Sequence, residues 1–247
     1  MRNLFDAGPA LLLPRIRMLN EIEDLLPDLD IPKSNSALKR RLELVHLIAN
    51  LLEREQSFAA RASLYDLADS LATLMDEMQG EGVSAEAIAN LDVTDQSGHW
   101  ERAKTFINIA QSYIDLSQDT PDTEARQRII VQNLVERWEH TPPKHPIILA
   151  GSTGSRGTTL MLMQAIARLP NGAVILPGFD FDMPTDVWTS LSDAMLSEDH
   201  PQFRFHKLLL SLENSSDDVV PWADDAPAAP ARNKLVSLAL RPAPVTD

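Results

Sequence analysis

The chain has 247 residues, of which 44% are hydrophobic and only 5% aromatic, so its core must rest on aliphatic side chains. Acidic residues outnumber basic ones by 36 to 22, and the net charge of -14 disfavours tight DNA binding by this chain alone, because phosphate contacts need Lys and Arg. Cysteine is absent, which excludes disulfides, thiolate zinc sites, iron–sulfur ligation and cysteine nucleophiles.

The N-terminal segment has a short apolar run, Ala10–Leu13, that ends at Pro14 and Arg15. A signal-peptide core or a membrane span needs a much longer apolar stretch. We therefore expect a cytoplasmic protein that makes no membrane contact.

Helical spacing of apolar residues dominates the sequence before Thr141. Ser36 is a candidate N-cap for a helix from 37 to about 55. A second helix is predicted from about Ser63 to Gln79, with Gly80 as its left-handed C-terminal cap.

Three further helices are predicted before the Pro142-Pro143 pair. A short one runs from Ser84 to Asn90, and a longer one from about His99 to Ser117. The third has Thr120 as N-cap and Pro121 at its first position, and it must stop before Pro142. These patterns predict an all-helical unit.

The pattern becomes α/β after Pro143. An apolar run at 146–150 predicts a buried strand, and a glycine-rich turn at 151–157 follows it. A helix from 158 to 169 and a second strand at 173–176 come next. Two strands joined by a helix of this length predict a right-handed parallel crossover.

The remaining sequence predicts two helices, at about 185–196 and 202–212, and a Pro-, Ala- and Asp-rich linker at 214–233. Two parallel strands alone leave unpaired backbone groups at both edges of the sheet. We expect the apolar segments 11–17 and 235–240 to supply further strands, and the chain to be part of a larger protein.

The fold class predicted from these patterns is α+β and predominantly α. We expect four segments along the chain: a strand and entry loop, an all-helical subdomain, a small parallel α/β unit, and a linker with a final strand. Their boundaries are 1–33, 34–141, 142–213 and 214–247.

The glycine-rich turn resembles a dinucleotide-binding fingerprint, with Gly151, Gly154 and Gly157 between a strand and a helix. Small residues there let backbone amides approach a pyrophosphate at a helix N-terminus, and Asp180 lies near the place of a ribose-binding acid. A complete dinucleotide domain needs about six strands, which the sequence after Asp180 does not provide. The other interpretation of the turn is a tight strand-to-helix connection.

Two other motifs fail in the same turn. A P-loop requires a lysine after its last glycine, and Thr158 follows Gly157 instead. A nucleophile elbow requires a glycine two residues before its serine, and Thr153 occupies that place before Ser155.

Three weaker patterns concern metals. Asp76-Glu77-Met78-Gln79 matches the D-E-x-Q box of a helicase ATPase, but the residues before it have a helical period, which predicts a solvated helix face. Asp180 and Asp182 follow a strand as magnesium-binding acids do, but a charged loop at the end of the strand is the better explanation of the pair. The six histidines form no H-x-x-x-H pair, so no metal site is predicted.

Several stretches, in this order along the chain, together resemble the AddB family, the subunit of AddAB helicase–nucleases, in its alphaproteobacterial form. They are LADSLATLMDEMQGEGVS, SGHW, PIILAGSTGSRGTT, IARLPNGAVILPGFDFDMP, EDHPQFRFHKLL and SLALRPAPVTD. The resemblance extends over nearly the whole chain. It implies an internal fragment of the helicase-like N-terminal domain, with an all-helical insertion followed by a degenerate P-loop helicase core.

The resemblance also implies which chemistry is missing. The strand that bears magnesium-binding acids in active helicases would be 147–151, and it ends here in Ala150-Gly151-Ser152. Leu176–Asp180 would replace the motif that senses the γ-phosphate. We therefore expect no ATPase or nuclease activity, no cofactor and no catalytic residue in this chain.

The expected role is to scaffold the DNA path and an AddA-type motor subunit, with DNA bound through the full complex. Any contact with nucleic-acid phosphates would come from backbone amides and hydroxyls at a helix N-terminus, without reading sequence. The candidate residues are Gly151, Ser152, Thr153, Gly154, Ser155, Arg156, Gly157 and Thr158.

Overall fold

The computed structural model describes residues 14–54, 63–84, 87, 109–110, 113–114, 120–193, 197–222 and 228–241. The fold is α+β and predominantly α, with a small two-stranded parallel sheet late in the chain. The α-helices are α1 (Ala37–Arg54), α2 (Leu64–Glu81), α3 (Thr123–His140), α4 (Gly157–Arg168), α5 (Thr185–Ser190), α6 (Phe203–Ser211) and α7 (Pro230–Ala239). The strands are β1 (Ile147–Ala150) and β2 (Gly172–Ile175), and 3-10 helices span Leu19–Leu25 and Ser216–Asp218.

The parallel crossover predicted after Pro143 is confirmed. β1 and β2 pair in parallel, with Ile147 opposite Gly172 and Ala150 opposite Ile175, and α4 connects them. Because both strands end at the same edge, the glycine-rich turn after β1 and the loop after β2 leave the sheet side by side.

In the described part of the chain buried side chains form three clusters, and two of these hold the elements around the glycine-rich turn. One lies between α1 and α2, around Leu44, Ile48 and Met75. The other brings Ile130 and Leu134 of α3 against the sheet and α4, together with side chains of the first 3-10 helix. The helix α3, which the sequence assigns to the all-helical unit, therefore packs on the α/β part.

The end of α2 differs from the prediction. Gly80 lies inside the helix and is buried, and the left-handed residue is Gly82, with φ 71°. The helix continues through Gly80, whose carbonyl accepts hydrogen bonds from the Thr158 hydroxyl at 3.0 Å and from Arg128 Nη1 at 3.2 Å. The prediction of Gly80 as the cap is wrong.

The start of α3 is also corrected. Thr120 and Pro121 precede the helix, whose N-cap position is Asp122. The Pro121 carbonyl accepts a hydrogen bond from the Asn35 backbone N–H at 2.9 Å, so this residue bridges to the segment before α1. Asp122 does not cap the helix with its side chain, because the carboxylate turns into the core.

The prediction of a strand at 235–240 is wrong, because these residues continue the helix α7, which has Pro230 at its first turn. Residues 14–17 have no regular secondary structure, and 11–13 lie outside the described residues. Of the predicted helix 185–196, residues 185–190 are helical and 194–196 lie outside the described residues. The predicted helices 84–90 and 99–117 lie largely outside them as well.

Across the described ranges, every helix is too short or too polar to cross a bilayer.

Candidate functional site

The glycine-rich turn between β1 and α4 uses two glycines for their backbone conformation. Gly151 has φ 82° and is exposed, with nothing within 4 Å of the place of a Cβ. Gly154 has φ 67° and is buried, and a Cβ there would lie 3.0 Å from Met163 Sδ. Residues with a side chain rarely adopt this left-handed backbone conformation, so the path of the turn depends on both glycines.

The N-terminus of α4 is already occupied by a carboxylate of the same chain. Gly157 donates its backbone N–H to Glu81 Oε1 at 2.9 Å. Glu81 belongs to the last turn of α2, where the helix dipole disfavours an acid, and reaches the first turn of α4, where the dipole favours one. The carboxylate stands where a bound phosphate group would accept hydrogen bonds.

The contact between these two helix ends requires a small residue at 157. A Cβ on Gly157 would lie 3.0 Å from Glu81 Cα and 3.1 Å from the Gly80 carbonyl oxygen. The next residue, Thr158, is buried and donates its hydroxyl to that same carbonyl at 3.0 Å. We call this arrangement of Gly80, Glu81, Gly157 and Thr158 the α2–α4 joint.

The predicted phosphate-binding cation is also engaged. Arg156 forms an ion pair with Glu124 in the first turn of α3. The Ser152 hydroxyl accepts a hydrogen bond from the Gly154 N–H at 3.2 Å, while Thr153 and Ser155 are exposed. The turn therefore holds the eight predicted residues together, but the strongest donors among them already serve contacts within the chain.

Asp180 lies in the loop after β2, at the same sheet edge as the glycine-rich turn. Its N–H donates to Gln202 Oε1 at 3.2 Å, and its carboxylate accepts from the Asp182 N–H at 2.9 Å. Gln202 is buried and also donates to the Gly178 carbonyl at 2.9 Å. Sequence reasoning missed Gln202, whose role depends on contacts more than 20 residues away along the chain.

His200 contacts Gln202 and lies near Asp180. Its Nδ1 accepts the Gln202 backbone N–H at 3.1 Å. Burial lowers the pKa of His200 below its ordinary value, and the nearby Asp180 opposes this shift. The part of the chain that the structure describes contains no group of three metal-ligating side chains, here or elsewhere.

A buried ionic network links α1, α2 and α3. Arg40 Nη1 lies 2.6 Å from Asp76 Oδ1. Arg40 Nε lies 3.2 Å from Asp122 Oδ2, which is close enough for an ion pair. The Nε–H of Arg40 does not point at a hydrogen-bond acceptor. The Tyr113 hydroxyl donates to Asp122 Oδ1 at 3.0 Å. Glu77 of the D-E-M-Q stretch is exposed, as predicted for a solvated helix face, whereas Asp76, with a 40% exposed side chain, forms an ion pair with the buried Arg40.

An open, mostly apolar groove of about 580 Å³ borders this network. Leu38 and Leu42 of α1 line it, and Lys39 and Glu43 of the same helix pair across 3.7 Å. The groove is therefore open and mostly apolar, with one exposed ion pair and His46 among its lining side chains.

Alkaline pH is expected to destabilise the fold through Tyr113. Burial, followed by the negative charge of Asp122, raises the pKa of Tyr113 above its ordinary value near 10. The folded protein then keeps a proton that the unfolded chain has lost, so the free energy of unfolding falls as pH rises above about 10. Absorbance at 295 nm checks this in a Tyr65→Phe variant, which leaves Tyr113 as the single tyrosine. Formation of the Tyr113 phenolate near pH 10, before the protein unfolds, would contradict this expectation.

Comparison with known proteins found no match to this chain among family models, curated proteins or solved structures.

Proposed function

We propose that this chain is a non-catalytic, helicase-like domain of an AddB-type subunit, which scaffolds the DNA path and an AddA-type motor subunit. The observation that carries the proposal is the α2–α4 joint. A working nucleotide site leaves the N-terminus of the helix after its glycine-rich turn open to phosphate. Here Glu81 occupies that N-terminus at 2.9 Å from the Gly157 nitrogen.

The side chains around the turn support the same proposal. Phosphoryl transfer relies on a lysine at the phosphates and on acids that hold magnesium. At the end of β1 the residues are Ala150, Gly151 and Ser152, and the nearby cation Arg156 is paired with Glu124. Each feature favours an architectural role over hydrolysis.

The test is an ATPase assay with magnesium on the full chain, with the AddA-type motor subunit as positive control. We expect no turnover above the blank, alone or with single-stranded DNA. The same protein should bind the motor subunit in analytical ultracentrifugation. Magnesium-dependent hydrolysis that Arg156→Ala abolishes would overturn the proposal.

A nucleotide-cofactor domain of NAD(P) type is the second candidate. It is favoured by the left-handed Gly151 and Gly154 and by Asp180 at the same sheet edge. Thermal-shift measurements with NAD, NADP, ATP and GTP on the wild type and on Glu81→Ala separate the two candidates. A saturable shift of several degrees with one dinucleotide, larger once Glu81 is removed, would favour this candidate; the scaffold proposal expects none.

A further inference from the structure

The imidazole of His200 lies where the loop between β2 and α5 (residues 176–184), the N-terminus of α6 and the end of α7 meet. Its Nδ1 accepts the Gln202 backbone N–H at 3.1 Å. Its Nε2 is buried against the Leu240 backbone carbonyl, without the geometry of a full hydrogen bond. Because Nδ1 is an acceptor here, the neutral ring carries its proton on Nε2.

The side chain of Gln202 connects this contact to the β2–α5 loop. Its Oε1 accepts the Asp180 N–H at 3.2 Å, and its Nε2 donates to the Gly178 carbonyl at 2.9 Å. Gln202 is buried and holds the N-cap position of α6. One glutamine side chain therefore fixes two backbone groups of the loop, and His200 fixes the backbone of that glutamine.

A protonated His200 is incompatible with this arrangement. A second ring proton, on Nδ1, would point at the Gln202 N–H, so two donors would face each other and the hydrogen bond would be lost. The positive charge would also lie beside the N-terminus of α6, where the helix dipole disfavours a cation.

The surroundings of His200 act on its proton in both directions. The charged or titratable residues on the elements that meet there are Asp180 and Asp182 of the loop, Glu198 and Asp199 before the ring, Arg204, His206 and Lys207 of α6, and Arg241 after α7. Burial is the largest effect and lowers the pKa of His200, whereas the charge of Asp180 raises it. The ring is therefore neutral at neutral pH and takes up a proton only in acid.

The end of α7 does little to hold the ring. Ser237 and Arg241 lie one helical turn apart on either side of Leu240. Neither the Ser237 hydroxyl nor Arg241 Nε has a hydrogen-bond partner among the described residues, although both atoms are buried. Buried polar groups without partners cost free energy, so this helix end contacts the imidazole without a hydrogen bond that would keep it in place.

We propose that His200 is an acid-sensitive latch for the β2–α5 loop. When Nδ1 takes up a proton from solvent, Gln202 loses the contact that fixes its backbone, and the loop is released at Gly178 and Asp180. This loop leaves the sheet beside the glycine-rich turn, so acid opens the sheet edge at which that turn lies. The latch is a property of the chain itself and operates whether or not a motor subunit binds.

Nuclear magnetic resonance of the full, ¹⁵N-labelled chain tests the latch between about pH 7.5 and about pH 5. The His200 ring should titrate below its ordinary pKa of about 6.5. The protection of the Gln202 and Asp180 amides against exchange, corrected for the intrinsic effect of pH, should fall about tenfold or more with the same midpoint. Because the folded chain binds this proton more weakly than the unfolded chain, the free energy of unfolding should also fall as pH drops below about 6.5.

Two variants separate the latch from other titrations. His200→Asn supplies a side-chain oxygen that can accept the N–H two residues later and cannot be protonated in this range, so the loop should stay protected in acid. His206→Gln is the matched control: it removes the other histidine whose pKa burial lowers, and the acid response of the loop should persist.

The opposite results would overturn the latch. An acid response that persists in His200→Asn, or that disappears in His206→Gln, would assign the proton to another group. A wild-type His200 that titrates above about 6.5, with the Asp180 amide better protected in acid, would show that an ion pair with Asp180 closes the loop instead.

Discussion

Replacing Asp122 with alanine is expected to lower the free energy of unfolding by about 3 kcal/mol, because it leaves buried polar partners unmatched. Asp122 is 2% exposed and lies within 3.2 Å of both Arg40 Nε and the Tyr113 hydroxyl. Arg40 retains Asp76 and the Ala72 carbonyl, which places the loss at the lower end for a broken buried pair. Urea denaturation followed by circular dichroism measures the change.

The matched control for this substitution is Asp69→Ala. Asp69 also pairs with an arginine, Arg41, at 2.7 Å, but both side chains are about half exposed, so the expected loss is under about 1 kcal/mol. The double variant Arg40→Met/Asp122→Ala should lose less than the sum of the single variants, since it removes the stranded charge. Equal losses for Asp122→Ala and Asp69→Ala would show that the network does not stabilise the fold.

Gly172→Ala is expected to destabilise the protein by about 3 kcal/mol through a steric clash at the start of β2. A Cβ at this position would lie 1.8 Å from the Ile166 carbonyl oxygen and 2.9 Å from Leu169 Cβ. The Gly172 N–H donates to the Leu169 carbonyl at 3.0 Å, so the strand cannot move away without breaking that bond. Thermal unfolding should show a Tm lower by about 10 °C for a chain of this size.

Gly151→Ala provides the comparison for Gly172→Ala. Gly151 has a left-handed φ of 82° and open space around it, so alanine there meets backbone strain of about 1 to 2 kcal/mol and no clash. A Gly172→Ala variant no less stable than Gly151→Ala would contradict the close approach of α4 to β2.

Local patterns predicted the elements whose stability depends on neighbours in sequence. The change of apolar spacing near Pro143 correctly predicted β1, α4 and β2, and the helices α1 and α2 lie within two residues of their predicted ends. The strand predicted at 235–240 failed because an apolar run of that length suits a helix equally. Pro230 and the Arg, Lys and Ala residues after it favour the helix.

The sequence predicted where along the chain the candidate site lies, but not which residues contact one another there. The spacing of Gly151, Gly154 and Gly157 located a strand-to-helix turn, but the glutamate that meets it is 76 residues away. The sequence pattern placed the N-cap of α3 at Thr120, whereas Asp122 holds that position and its carboxylate pairs with Arg40, 82 residues before it. No local pattern contains such long-range pairings.

The α2–α4 joint has a mechanical consequence. α2 has 18 residues and is about 27 Å long, and its end is fastened to the first turn of α4 by a backbone N–H, a threonine hydroxyl and a carbonyl. A displacement of α2 along its axis would therefore either break these two hydrogen bonds or shift the first turn of α4, and with it the glycine-rich turn at the sheet edge.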